Sequence, residues 1–308
     1  MQQPHSIIDR KAYVITENIS NRYCMIGQIR RKVEHEFGNA LKSGKITTIQ
    51  GFERADAYGH EAGMPIERWV KSFLEKIDWG NWSIRIYFPN ELFQEIFSKI
   101  GRNETKILKM IDDTWWGSLM VSKKQVQQFM NSQAVERWQQ EGADIIIFYG
   151  NDILKDINNI ILINAKSHDI ARSSRPPNIM SAQRLLEYFA STLARQDAAE
   201  MLDKVSLWFL GVDYSVSANQ ATVHSVHIKD LLLLNLARLP QINFDAAIQI
   251  QWHVRDMVEI DQDRLTFIQN LAKTFIEQWK AHSDQKKEKY GKLVERIERL
   301  VEGLRNAG

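Results

Sequence analysis

DIIIFY, residues 144–149, and IILINAK, residues 160–166, are short runs dominated by isoleucine. A β-branched residue packs well on a pleated, half-buried surface and is stiff in a helix. The turn formers Gly150-Asn151-Asp152 and Asn158-Asn159 lie between the runs. This pattern predicts two antiparallel central strands. Asp144 then starts the first strand and Lys166 ends the second, so antiparallel pairing brings them together. Side chains at i and i+2 share a strand face, so Asn164 and Lys166 aim at one place, with Asp144 beside them. Phosphodiester hydrolysis needs a divalent metal on hard oxygen ligands near the phosphate. It also needs a cation to orient water or offset developing charge. A carboxylate, an amide carbonyl and a lysine offer that set, in the outline of the nuclease pattern Asp…(Asp/Glu)-x-Lys. An ion pair across a sheet, with no chemistry, would present the same residues.

Outward from this centre the period changes. Ile19, Tyr23, Ile26, Ile29, Val33, Phe37 and Leu41 predict a helix over 16–41. Glycines at 44, 51, 59 and 63 make 43–63 a loop. Pro65 opens a helix to about Ile77 with the stripe Ile66, Trp69, Val70, Phe73, Leu74. Residues 90–140 are largely helical, broken at Asp113 and Gly117, and 181–201 is a further helix. Val205–Asp213 and Ala221–Ile228 form a second strand pair. Ala247–Arg255 alternates, with Ile248, Ile250, Trp252 and Val254 apolar and Gln249, Gln251, His253 and Arg255 polar, so it reads as a half-buried strand. Two helices close the chain, the second charged and amphipathic, a surface helix or a dimer contact. The fold class is α+β, a central mixed β-sheet flanked by helices.

Bulk composition narrows the class further. In 308 residues, 40 Lys+Arg nearly balance 38 Asp+Glu, so any affinity for nucleic acid is local. Over Ile160–Leu186 four Lys/Arg face one acid. Cys24, the single cysteine, excludes an internal disulfide and a thiolate zinc cluster and suits a reducing cytoplasm. The N-terminus lacks a signal-peptide pattern, and the longest apolar run, 230–239, falls well short of the roughly 20 residues of a spanning helix. No Ser-His-Asp arrangement, phosphate-binding glycine loop or histidine spacing for a metal is present.

From Leu162 the chain reads LINAKSHDIARSSRPPNIMSAQRLL. This closely resembles the HincII family of type II restriction endonucleases, where such a run leads from the catalytic acid and lysine into the DNA-reading loop. Gly59–Leu74 (GHEAGMPIERWVKSFL) and Ile242–Met257 (INFDAAIQIQWHVRDM) are similar to other segments of the family, and Leu207–Tyr214 (LWFLGVDY) matches more faintly, all in order. The resemblance implies the restriction-endonuclease fold and magnesium-dependent cutting of double-stranded DNA by a homodimer. A cognate DNA methyltransferase would belong to the same system without binding the enzyme. The resemblance covers roughly residues 57–280, and the chain is expected to divide into a helical extension over 1–56, a catalytic and recognition domain over 57–282, and a charged C-terminal helix over 283–308.

By the same resemblance Asp144 ligates the metal, the Ala165 carbonyl joins it, and Lys166 is the catalytic lysine. Asn164 stands where the family has its second acid. Either the enzyme works with the amide, or another carboxylate substitutes (Glu67 first, Asp169 second), or cleavage is lost and a sequence-specific DNA-binding protein remains. Arg172, Arg175 and Asn178 fall in the reading loop, where Arg can contact phosphate or guanine and Asn can pair with adenine. Asn178 and Asn243 match base-contacting positions. Arg175 replaces a glutamine that enters the base stack, and Gln241 replaces a tyrosine. The implied site is related to GT-pyrimidine-purine-AC, cut blunt at its centre with 5′-phosphates.

Overall fold

The computed structural model describes residues 7–44, 48–50, 60–132, 142–171, 176–217, 220–238, 241–245, 248–281, 291–299 and 302–303. The helix α1 (Ile7–Lys42) precedes the short strand β1 (Thr48–Gln50) and helix α2 (His60–Glu75). Both β1 and the first turn of α2 lie in the stretch expected to be loop, and Pro65 falls inside α2. Strand β2 (Ile84–Tyr87) is followed by helices α3 (Pro89–Ile100), α4 (Glu104–Asp112), α5 (Gly117–Met120) and α6 (Lys123–Ser132). Then come β3 (Ile145–Tyr149), β4 (Ile160–Asp169), β5 (Asn178–Ser181), α7 (Ala182–Leu193) and α8 (Ala198–Lys204). The rest is β6 (Leu207–Ser217), β7 (Gln220–Asp230), β8 (Gln241–Asn243), β9 (Gln249–Gln251), α9 (Arg264–Lys280) and a further helix over 291–299.

The main sheet has six strands in the order β1-β7-β6-β4-β3-β2. Every pairing in it is antiparallel except β4 with β6, so the sheet is mixed. β3 and β4 pair as the isoleucine runs require, Ile145 opposite Ile163 and Ile147 opposite Ile161. All five residues of β3 are buried, as a strand covered on both faces must be. Alternation sends Ile146, Phe148, Ile160 and Leu162 into one core, with α3 to α7 and α9. Ile145, Ile147, Ile161 and Ile163 enter the other, with the stripes Ile26-Ile29-Val33-Phe37 of α1 and Ile66-Val70-Leu74 of α2. The fold is therefore α+β, a sheet between two helical layers.

A second sheet, β5-β9-β8, packs on the side of α7 and α9. The apolar half of the alternation expected over 247–255 is buried, Ile248, Ile250, Trp252 and Val254 all at or below 4% exposure, but His253 on the polar half is buried as well. Only three residues of that stretch form a strand, however. Ile248 has φ 51, in the left-handed region, and Val254–Asp256 turns as a 3₁₀ helix.

Candidate active site

Asp144 directly precedes β3 and is tied to β4, its N–H donating to the Ile163 carbonyl at 2.8 Å. The strand register and alternation put Asp144, Asn164 and Lys166 on one face of the sheet, that of α7 and α9. The Asp144 side chain is 4% exposed and Lys166 23%, with Nζ 4.0 Å from Oδ2 of Asp144. The same Oδ2 accepts a 2.7 Å hydrogen bond from the Ala165 N–H. The next residues on that face, Asn164 and Lys166, are polar, and the strand stays buried as far as Ala165.

Asn164 is 8% exposed, and its Oδ1 is enclosed without a hydrogen-bond donor. Leaving a buried acceptor unsatisfied costs about 1–3 kcal/mol. The orphaned oxygen lies beside Asp144, and both are hard ligands. A magnesium ion favours one or two protein oxygens and keeps several waters. The donor set fits such an ion. Among the described residues no group of three or more His, Cys, Asp or Glu could hold a metal.

Glu67 is partly exposed on α2, whose buried stripe packs on the opposite face of the sheet. Asp169 alternates to that opposite face at the end of β4 and accepts from the Ala171 N–H. This placement favours Asn164 itself over either carboxylate as the oxygen beside Asp144.

The base-reading candidates converge on the small sheet. Its register aligns Asn178, Gln251 and Gln241 in one row and Ser181, Gln249 and Asn243 in another. Between them Met180, Ile250 and Ile242 are buried. The polar rows thus share one face, on which Gln251 Nε2 donates to Asn178 Oδ1 at 3.0 Å. Asn243 Oδ1 accepts from the Asp245 N–H. Arg172 and Arg175 lie outside the described residues.

Sequence reasoning missed a polar cluster beyond Lys166. His168 Nδ1 is 3.1 Å from Asp213 Oδ1 across the parallel β4–β6 register. Asp213 Oδ2 accepts from Ser225 Oγ at 2.8 Å and lies 3.1 Å from His227 Nε2. His253, on the polar face of the expected half-buried strand, is 9% exposed and packs edge-on against His168. The legible signal was the i+2 spacing of His168 from Lys166.

A family model described as restriction endonuclease HincII matches residues 42–298. Two curated relatives, the type II restriction enzymes HindII and HincII, both of Haemophilus influenzae, are each 27% identical to this chain over 250 residues. Those residues span 81% of this chain and 87% of each relative.

Proposed function

The chain belongs to the HincII family of restriction endonucleases, which are type II site-specific deoxyribonucleases, and we propose that it cuts double-stranded DNA at a short palindrome with magnesium as cofactor. The proposed site is related to GT-pyrimidine-purine-AC and is cut blunt to leave 5′-phosphates, by a homodimer in the cytoplasm. No described helix is long and apolar enough to cross a membrane. The proposed division of labour is a helical extension over 1–56, catalysis and recognition over 57–282, and a charged helix over 283–308.

The observation that carries this reading is the enclosed, unpartnered Asn164 Oδ1 beside Asp144, with Lys166 on the same face. The side chains of Asp144 and Asn164 and the Ala165 carbonyl would hold the magnesium. When bound, magnesium supplies Lewis acidity toward the scissile phosphate and its leaving oxygen. The Ala165 N–H fixes the Asp144 carboxylate, so the ligand needs no reorientation. Lys166, partly enclosed and facing Asp144, orients the attacking water and offsets charge that grows on the phosphate. Asn178, Gln241 and Asn243 read base edges from the polar face of the small sheet. Arg175 and Gln241, the two departures from the family pattern among the base-reading positions, alter preference at the central step, where unstacking a flexible pyrimidine–purine step is cheap.

Plasmid incubated with protein and magnesium tests the reading. Discrete fragments with mappable palindromic ends support it. A sequence-specific gel shift without cutting would instead mark a binding protein that lost cleavage through Asn164.

A further inference from the structure

β4 runs three residues past Lys166, to Asp169, and His168 takes the next place on the same face. Two residues of strand advance about 6.6 Å, comparable with the step between neighbouring phosphates along one DNA strand. A backbone seated with one phosphate at Lys166 would bring the next to His168.

The surroundings of His168 are built rather than incidental. Burial by itself would raise the Asp213 carboxyl. The hydrogen bonds from His227 and Ser225, the charge of His227 and the bond with His168 outweigh it and hold the group well below the usual carboxylate range. Asp213 is therefore an anion that only accepts, and the hydrogen in its contact with His168 belongs to Nδ1. Nδ1 then has no lone pair for Arg255 Nη1, which stands 3.3 Å away. The Arg255 guanidinium, 39% exposed and 3.5 Å from Asp256 Oδ1 through Nε, thus keeps donor capacity at the place that His168 faces. The His253 ring at 4.6 Å and 73° fixes the plane of the imidazole. Lys166, His168, Pro177, Asp213 and Arg255 line one small cleft, which joins the cluster to the catalytic lysine and to the foot of the reading strand.

We propose that His168 and Arg255 together grip the DNA phosphate next to the one being cut, and that Asp213 is the positioning residue that sets the tautomer and direction of the imidazole. This rests on the nuclease reading above. The donors are the guanidinium and, on the charged ring, Nε2–H. Bonds from cations to phosphate are the stronger class.

The test uses the full chain and a duplex selected from random sequence by binding to wild type in calcium. Affinity is followed by fluorescence anisotropy across salt concentrations. Each phosphate neutralised contributes a slope of about −0.9 in log K against log salt. The double variant His168→Gln/Arg255→Gln should flatten the slope by about that much. Along a set of duplexes carrying one neutral methylphosphonate each, one position should weaken wild type severalfold and the double variant less than twofold. Arg255→Gln alone, at an exposed site where folding is safe, should show part of both effects, and Asp213→Asn should reproduce that of His168→Gln. An unchanged slope, or methylphosphonate losses equal in wild type and variants, overturns the inference and leaves the nuclease reading standing. Failure of wild type to bind any selected duplex overturns both.

Discussion

At position 164 a neutral amide oxygen stands where a second carboxylate would hold a divalent cation more tightly. Asn164→Asp should therefore lower the magnesium concentration needed for half-maximal cleavage severalfold. Without metal, the new carboxylate beside Asp144 should lower the thermal midpoint through like-charge repulsion, and magnesium should restore it. An unchanged magnesium titration would remove Asn164 from the ligand set. Lys166→Ala should cut cleavage by several orders of magnitude and leave specific binding within about tenfold, because binding rests on other contacts. Ordinary cleavage by that variant would end the catalytic assignment. These three residues were legible because adjacent strands and the period of two place them without knowledge of the rest of the fold. Asp213 was not, since it meets His168 across 45 residues and a parallel register that no local pattern sets.

Elements re-aim side chains where the regular pattern breaks. The alternation from Ile248 to Arg255 reads as one strand, and burial of its apolar half follows that pattern. The left-handed Ile248 and the 3₁₀ turn at Val254–Asp256 cut the strand short. Gln249 and Gln251 consequently join Asn178 and Asn243 on the small sheet, while His253 and Arg255 reach the cleft of Lys166. β2 was illegible for a different reason: it has four residues, sits at the sheet edge, and buries only one of them, Ile86. The approach of the 3₁₀ turn to the sheet depends on Gly211, opposite Lys166, where a Cβ would come within 2.6 Å of Val254 Cβ. Gly211→Ala should cost about 1–3 kcal/mol by overpacking, read as a lower urea midpoint, and should displace Arg255 from His168. A midpoint equal to wild type would show that the turn gives way freely.

Across the whole molecule, α1 is tied to the body by Arg30, which donates to both carboxylate oxygens of Glu259 at 2.7 and 2.8 Å and to the Ile228 carbonyl. Beside this pair burial pushes the Asp230 carboxyl up to about 6 from an unfolded value of 3.8. A raised folded pKa means the folded state holds the proton more tightly. The stability from this group is full below about pH 4 and is lost as pH rises through 6. Asp213 has the opposite sign, its contribution lost only as pH falls below the ordinary carboxylate range. Asp230→Asn should therefore shrink the difference in urea midpoint between pH 5 and pH 7, and an unchanged difference would show that Asp230 does not titrate with folding. Symmetry sets the last expectation. A palindrome presents two equivalent scissile phosphates, whereas one chain carries one set of Asp144, Asn164 and Lys166. The proposed assembly is accordingly a twofold dimer with one set facing each strand. Chains of wild type and Lys166→Ala, refolded or co-expressed together, should form mixed dimers that bind the site normally and cut one strand. Supercoiled plasmid would then accumulate as nicked circles, in proportion to the mixed species. If the mixture yields only linear plasmid, at a rate set by the wild-type fraction, each chain cuts both strands by itself and the paired arrangement is wrong.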